Sequence, residues 1–202
     1  PGVKALVPMG RDSALAVGGN ELDDMLGKLR DAVHAGDQAQ VQRYASRVRT
    51  MVELLKPELE IRARGLTDVG QRRDHNEDSL LVDDALRLYV VADGMGGHAG
   101  GGTASRLAVE TIQKALAEAR TKKPELFDGK HTIEDSPLPE VLRGAVEEAC
   151  RVIFAAAKGD PELAGMGTTV TAAAVDGRCA FVAHVGDSRC YLIREKRIYQ
   201  VS

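Results

Sequence analysis

The chain reads as an α+β protein: short antiparallel hairpins covered by helices, with an αα-hairpin ahead of them. Three observations predict this. Residues 79–82 and 86–91 are strand-like apolar runs joined by Asp83-Asp84-Ala85. Residues 168–175 run into Asp176-Gly177, the strongest two-residue hairpin signal, and the apolar pattern resumes through 178–189. Apolar residues recur at helical spacing in four further stretches, two near the N-terminus and two between the hairpins.

Residues 1–20 are rich in Gly, Pro, Ala and Val without periodicity, so they read as a linker or arm. Leu22, Met25, Leu26, Leu29 and Val33 then form one helical stripe, and Val41, Tyr44, Val48, Met51 and Leu55 a second. Gly36-Asp37 separates them, Asp37 being a natural N-cap, and Pro57 ends the pair. This hairpin spans 21–58. Two short helices bury little alone, so their stripes must meet each other and something else. The hairpin is expected either to pack on the core of the rest of the chain as an N-terminal extension or to be a docking or regulatory element, with a homodimer or domain swap through it as one form of the latter. From residue 61 to 202 the pattern is that of the hairpins and their helices. Residues 99–119 and 142–157 form the two covering helices, with 121–139 an exposed loop between them.

Composition excludes several classes. A net charge of −3 and 3% aromatic residues without Trp give no basic surface or stacking platform for nucleic acid. No apolar run approaches membrane-spanning length. Cys150, Cys179 and Cys190 lack metal spacing, and the last two fall in apolar runs as reduced thiols, which fits a cytoplasmic setting. His184 reads as a satisfied core residue, His34 and His131 as surface residues. The start at Pro1, without Met, suggests a longer N-terminus.

The chemistry lies between Arg73 and Gly97. Arg73-Asp74-His75-Asn76-Glu77-Asp78 precedes the first hairpin and Ala92-Asp93-Gly94-Met95-Gly96-Gly97 follows it. If Asp84 and Ala85 form a two-residue turn, Asp83 faces Leu86 and Glu77 faces Ala92. Asp78 and Asp93 then share the open end of the hairpin, about 5–8 Å apart. Bare carboxylates repel at that distance, and a dication removes the cost. Hard cations such as magnesium and manganese favour clustered carboxylate and carbonyl oxygens, and an arginine fork beside them suits phosphate. Taken singly, Glu77 and Asp78 could be solvated loop acids and Asp93 a turn former; as a constellation they point to metal-assisted phosphate chemistry. Folding the second hairpin about Asp176-Gly177 sets Gly167 against Gly186 and Met166 against Asp187. Glycines Gly165, Gly167 and Gly186 then rim a third acid, Asp187, which could equally accept backbone N–H bonds in a turn.

The blocks Arg73-x-x-Asn76-Glu77-Asp78, Ala92-Asp93-Gly94-Met95-Gly96-Gly97-His98, Gly165-Met166-Gly167-Thr168-Thr169 and His184-Val185-Gly186-Asp187-Ser188-Arg189 resemble the metal-dependent Ser/Thr protein phosphatases of the PPM (type 2C) family in its bacterial form. The resemblance runs from about Ile61 to the chain end. It implies a two-sheet antiparallel β-sandwich flanked by helices, with two Mn2+ or Mg2+ ions at one edge and a third as an option. It implies that Asp93 bridges the two metals, that the Gly94 carbonyl ligates one, and that Glu77 and Asp78 act in or just behind the coordination shell. Arg73 would hold the substrate phosphate and Asp187 the additional metal. The implied reaction is hydrolysis of phosphoserine or phosphothreonine in phosphoproteins, with a Ser/Thr kinase or its targets as partners. Family members continue past the position of Ser202 with an Asp-Gly and an Asp-Asn block that complete the site, and neither block is in this sequence. The chain is therefore expected to be part of a longer phosphatase. The alternative is a catalytically incomplete phosphate-sensing or scaffold protein assembled through the helical hairpin.

Overall fold

The computed structural model describes residues 2–6, 19–55, 60–96, 100–129, 131 and 133–202. The chain divides into two units, residues 10–60 and residues 1–9 with 61–202.

The smaller unit is a helical hairpin. Helix α1 is Gly19–His34 and helix α2 is Gln38–Leu55. Gly36, at φ 69°, turns the chain between them, and the Asp37 carboxylate accepts the Gln40 amide at 3.0 Å, the N-cap that the sequence predicts. Leu22, Met25, Leu29, Val41, Tyr44, Val48 and Met51 are half-buried, while Ala32 is buried.

The larger unit is built on one antiparallel sheet. Its strands are β1 (Gly2–Leu6), β2 (Asp78–Asp83), β3 (Leu88–Met95), β4 (Gly167–Thr168), β5 (Val170–Asp176) and β6 (Cys179–Val185). Their order is β1-β6-β5-β3-β2, with β4 continuing the β5 side of β3. A second, two-stranded sheet joins β7 (Tyr191–Arg194) to β8 (Arg197–Gln200). Helices α3 (Gly100–Lys122) and α4 (Leu138–Gly159) pack on each other and on the larger sheet. Their inward residues Ala108, Ile112, Leu116, Leu142 and Ala145 meet Leu88, Val90 and Ala92 of β3 and Ala172, Ala174 and Phe181 of β5 and β6. Two antiparallel sheets with helices packed on the larger one, in a chain that also carries an αα-hairpin, are the α+β class that the sequence predicts.

Burial alternates strictly along β3: Leu88, Val90, Ala92 and Gly94 are buried against the helices. Tyr89, Val91, Asp93 and Met95 therefore face the other side, where Val91 is 54% exposed.

Four local expectations change. Gly2–Leu6 lies in the predicted arm, yet it forms edge strand β1, paired with β6 from Gly2↔His184 to Leu6↔Ala180. The first hairpin turns through four residues, not two, so Asp83 pairs with Leu88 and Asp78 directly with Asp93. The reason is Asp83. Its carboxylate accepts the Leu86 amide at 2.9 Å and Gln113 of α3 at 2.8 Å, fastening a wider turn that Arg87 completes at φ 50°. The second hairpin turns at Gly177-Arg178, so Asp176 pairs with Cys179. Gly167 consequently sits across from Met95 on β4, not across from Gly186. Finally, the 121–139 segment is not all exposed loop: Pro124–Phe127 make a 3-10 turn that buries Leu126, and α4 already begins at Leu138.

Candidate metal centre

The corrected registers draw a straight row across the sheet. Asp78 pairs with Asp93. On the far side of Asp93, the Thr169 amide donates to the Asp93 carbonyl at 2.9 Å, while the Asp93 amide donates to Thr169 Oγ1 at 3.0 Å. Continuing the β5–β6 register sets Thr169 against Gly186, where an added Cβ would lie 2.7 Å from Thr169 Cγ2. The row Asp78–Asp93–Thr169–Gly186 thus runs over four strands on the face away from the helices, and Asp187 follows at its end.

Each acid is held by its backbone and short polar side chains. Thr168 Oγ1 also donates to the Asp93 carbonyl, at 3.0 Å, and Thr169 Oγ1 shares a 2.8 Å hydrogen bond with Ser188 Oγ, next to Asp187. Asn76 Oδ1 accepts the Asp78 amide at 3.0 Å, and Thr67 Oγ1 donates to Asp78 Oδ2 at 3.1 Å. Glu77 is fixed from below. Its carbonyl accepts the Gly94 amide at 3.1 Å and the hydroxyl of Ser105, a fully buried residue of α3, at 2.6 Å.

The glycines make the crowding possible. A Cβ on Gly94 would collide with the Gly101 carbonyl and lie 2.6 Å from the Glu77 carbonyl oxygen. One on Gly101 would lie 2.5 Å from Glu77 Oε1. That Glu77 oxygen is buried and has no hydrogen-bond partner among the described residues. A buried carboxylate oxygen left bare is costly and calls for a ligand.

Electrostatics sharpen the same point. Partial desolvation in the row pushes the Asp93 carboxyl above its ordinary value of 3.8. The charge of Asp78 and a hydrogen bond with it add to the rise, the charge of Asp187 adds less, and Arg73 opposes them. Asp78, Asp187 and Arg73 therefore all act on Asp93. Arg73 and Asp187 are exposed residues outside the strands, whereas Gly94 is buried within β3.

These oxygens suit a hard cation. Asp78, Asp93, the Gly94 carbonyl and the orphaned Glu77 oxygen are the donor types that magnesium or manganese takes. The fit is that of a nucleus rather than a closed shell, because among the described residues no three acidic, histidine or cysteine side chains converge on one point. Gly97 and His98 of the second block lie outside the described residues.

Several residues escaped sequence reasoning. Thr67 and Ser105 reach the site from 11 and 26 residues away in sequence from Asp78 and Ser79, with no local signal. Thr169 and Ser188 stand inside the quoted blocks, but only the register reveals their hydroxyl link. His184 is satisfied as expected, through Thr171 Oγ1 and the Gly186 carbonyl, each at 2.9 Å. His131 is not a surface residue: it is half-buried, with Nδ1 3.3 Å from the buried Asp176 carboxylate. Cys179 is buried and reduced, Cys190 is half-buried outside the strands, and Cys150 is exposed.

An acidic row on an antiparallel sheet, backed by two helices and with an arginine acting on it, combines oxygens suited to a hard cation with a guanidinium suited to phosphate. Residues 69–202 match the family model for protein phosphatase 2C, and the chain belongs to that family. It is 36% identical over 147 residues to the serine/threonine protein phosphatase PstP of Mycobacterium tuberculosis, covering 71% of this chain and 25% of that protein. It is 34% identical over 139 residues to the serine/threonine phosphatase Stp of Listeria welshimeri, covering 67% and 51%. Among solved structures, the PstP catalytic domain in complex with 2 manganese ions superposes with a TM-score of 0.52 at 38% identity, covering 67% of this chain and 52% of that one. The chain spans about half the length of the Listeria relative and of the solved catalytic domain.

Proposed function

We propose that this chain carries the first part of a metal-dependent protein-serine/threonine phosphatase, with Mn2+ or Mg2+ held at the acidic row and phosphoserine or phosphothreonine in proteins as substrate. The observation that carries the reading is the direct pairing of Asp78 with Asp93, together with a buried Glu77 oxygen that has no partner among the described residues. Two like charges face to face are unfavourable, and a cation between them removes that cost when both are ionised. The solved PstP domain, described with 2 manganese ions, supports this assignment. The named relatives are phosphatases, which does not favour the scaffold alternative.

In this reading Asp93 and Asp78 hold the metal, the Gly94 carbonyl adds a ligand, Glu77 acts in or behind the shell, and Asp187 serves a further ion. Bound there, divalent ions would supply Lewis acidity for water activation and for neutralising phosphate charge. Arg73, exposed and near the row, offers a guanidinium fork to the phosphate oxygens and holds the substrate in line. Thr168 and Thr169 fix the Asp93 backbone, so the carboxylate is placed before substrate arrives. No helix among the described residues is long and apolar enough to cross a membrane. We further propose a cytoplasmic setting opposite a Ser/Thr kinase.

The test is manganese-dependent hydrolysis of an aryl phosphate and of a phosphoprotein by the 202-residue chain, with Asp93→Asn as control. Turnover lost by several orders of magnitude in the control is expected. Turnover unchanged in Asp93→Asn would overturn the assignment.

A further inference from the structure

The αα-hairpin has more apolar surface than its own seam uses. That seam consists of Leu22, Met25, Leu29 and Ala32 on α1 against Val41, Tyr44, Val48 and Met51 on α2, and only Ala32 among them is fully buried. A second stripe lies roughly 80° around each helix at 100° per residue. On α1 it holds Leu26 and Val33, which are 43% and 57% exposed. On α2 it holds Ala45 and Val52, the latter 41% exposed.

Helix geometry decides which way these stripes point. Both are displaced from their seam in the same rotational sense. The helices run antiparallel across the short Ala35–Asp37 connection, and their seams face each other. The two reversals cancel, so both stripes open on the same side of the hairpin. The result is one continuous apolar face rather than two separate ones. Exposed apolar side chains gathered on one side of a small unit are what an interaction surface offers.

Charge identifies the occupant. At the outer edge of this face α1 carries Asp23 and α2 carries Arg49, both exposed and neither in an ion pair among the described residues. The short connection sets them level with each other, at the open end. Rotating the hairpin by half a turn about an axis along its helices lays α1 of one copy over α2 of the other, antiparallel. The levels are preserved, so Asp23 of each copy comes to Arg49 of the other at both rims. A two-fold interface must be self-complementary in this way, with an acid and a base exchanging places.

We propose that the hairpin is a self-association surface. Two copies of this chain pack the face of Leu26, Val33, Ala45 and Val52 together into an antiparallel four-helix bundle, closed by reciprocal Asp23–Arg49 pairs. The interface would join two phosphatase units, and it stands independently of their chemistry.

Sedimentation equilibrium of the full chain across the micromolar range tests it. The mass is expected to rise from that of one chain to that of two. Leu26→Lys should leave only monomer. Asp23→Arg or Arg49→Asp alone should weaken association about tenfold, because each reverses two rim pairs. The double variant Asp23→Arg/Arg49→Asp should restore it. Circular dichroism checks that the helices persist; if Leu26→Lys loses them, the charge swap still decides, since it leaves the apolar face intact. A wild-type chain that stays monomeric, as it would if the face served a different protein or its own phosphatase unit, would overturn the proposal. So would a double swap that fails to recover the dimer.

Discussion

The two ends of the larger sheet each carry an aspartate, and the two could hardly be treated more differently. At the β5–β6 turn, Asp176 is 1% exposed, and both of its oxygens are engaged. Oδ1 accepts the Gly129 amide at 2.8 Å and Oδ2 lies 3.3 Å from His131 Nδ1. At the other end, Asp93 faces Asp78, and its carboxyl is pushed up by partial desolvation and by that neighbour. Glu77, the residue before Asp78, has a buried oxygen with no hydrogen-bond partner among the described residues. The first acid is finished by the protein and pins a loop to a turn. The second is left in a state the protein alone does not stabilise. A carboxylate with protein partners is read as architecture, and one set against other carboxylates is read as a binding site.

The contrast can be broken at either end. The largest expected effect on stability is at Asp176. Asp176→Ala strands the Gly129 amide and should lower unfolding free energy by about 2 kcal/mol. Chemical denaturation checks this, and manganese affinity of the folded variant should not move. Next comes Thr169, whose hydroxyl ties the Asp93 amide to Ser188. Thr169→Val removes both bonds while keeping the shape. It should weaken manganese binding roughly tenfold, the low end for residues that orient metal ligands, and Thr169→Ser should restore it. Isothermal titration of the metal separates the two variants.

The smallest effect has the most telling sign. Because the folded pKa of Asp93 is raised, this group favours the fold when protonated. That contribution is complete below its ordinary value of 3.8 and is lost as pH rises through the raised one. At neutral pH the ionised Asp93 therefore costs stability. Asp93→Asn should make the metal-free chain more stable above that window, by on the order of 0.5 kcal/mol after solvent screening, and the gain should vanish in acid. Thermal melts at two pH values read it directly.

Much of this was legible because the informative residues are local. Arg73 to Asp93 form one hairpin and its flanks, so Asp78 and Asp93 had to meet whatever the turn. The expected register slipped by two residues in both hairpins, and a slip of two keeps every side chain on its face. The acids therefore stayed together. What set the true registers was not local: Gln113 of α3 holds the Asp83 turn, and the Gly129 backbone lies against Gly177, where a Cβ would be 3.0 Å from Gly129 Cα. His131 looked like a surface residue because its partner stands 45 positions later. Thr67 and Ser105 carry no pattern of their own and become meaningful only through the atoms they touch. Strand β1 was missed for a similar reason, since five residues have little periodicity and its pairing with β6 is the longest-range one in the sheet.

The comparison turns on one measurement: manganese binding to the purified chain, followed by titration calorimetry for the wild type, Asp93→Asn and Asp176→Ala. Binding that falls at least a hundredfold in Asp93→Asn and persists in Asp176→Ala is the predicted result. Binding that survives Asp93→Asn unchanged, or a wild-type chain that takes up no manganese, would contradict the assignment of the acidic row as the metal site.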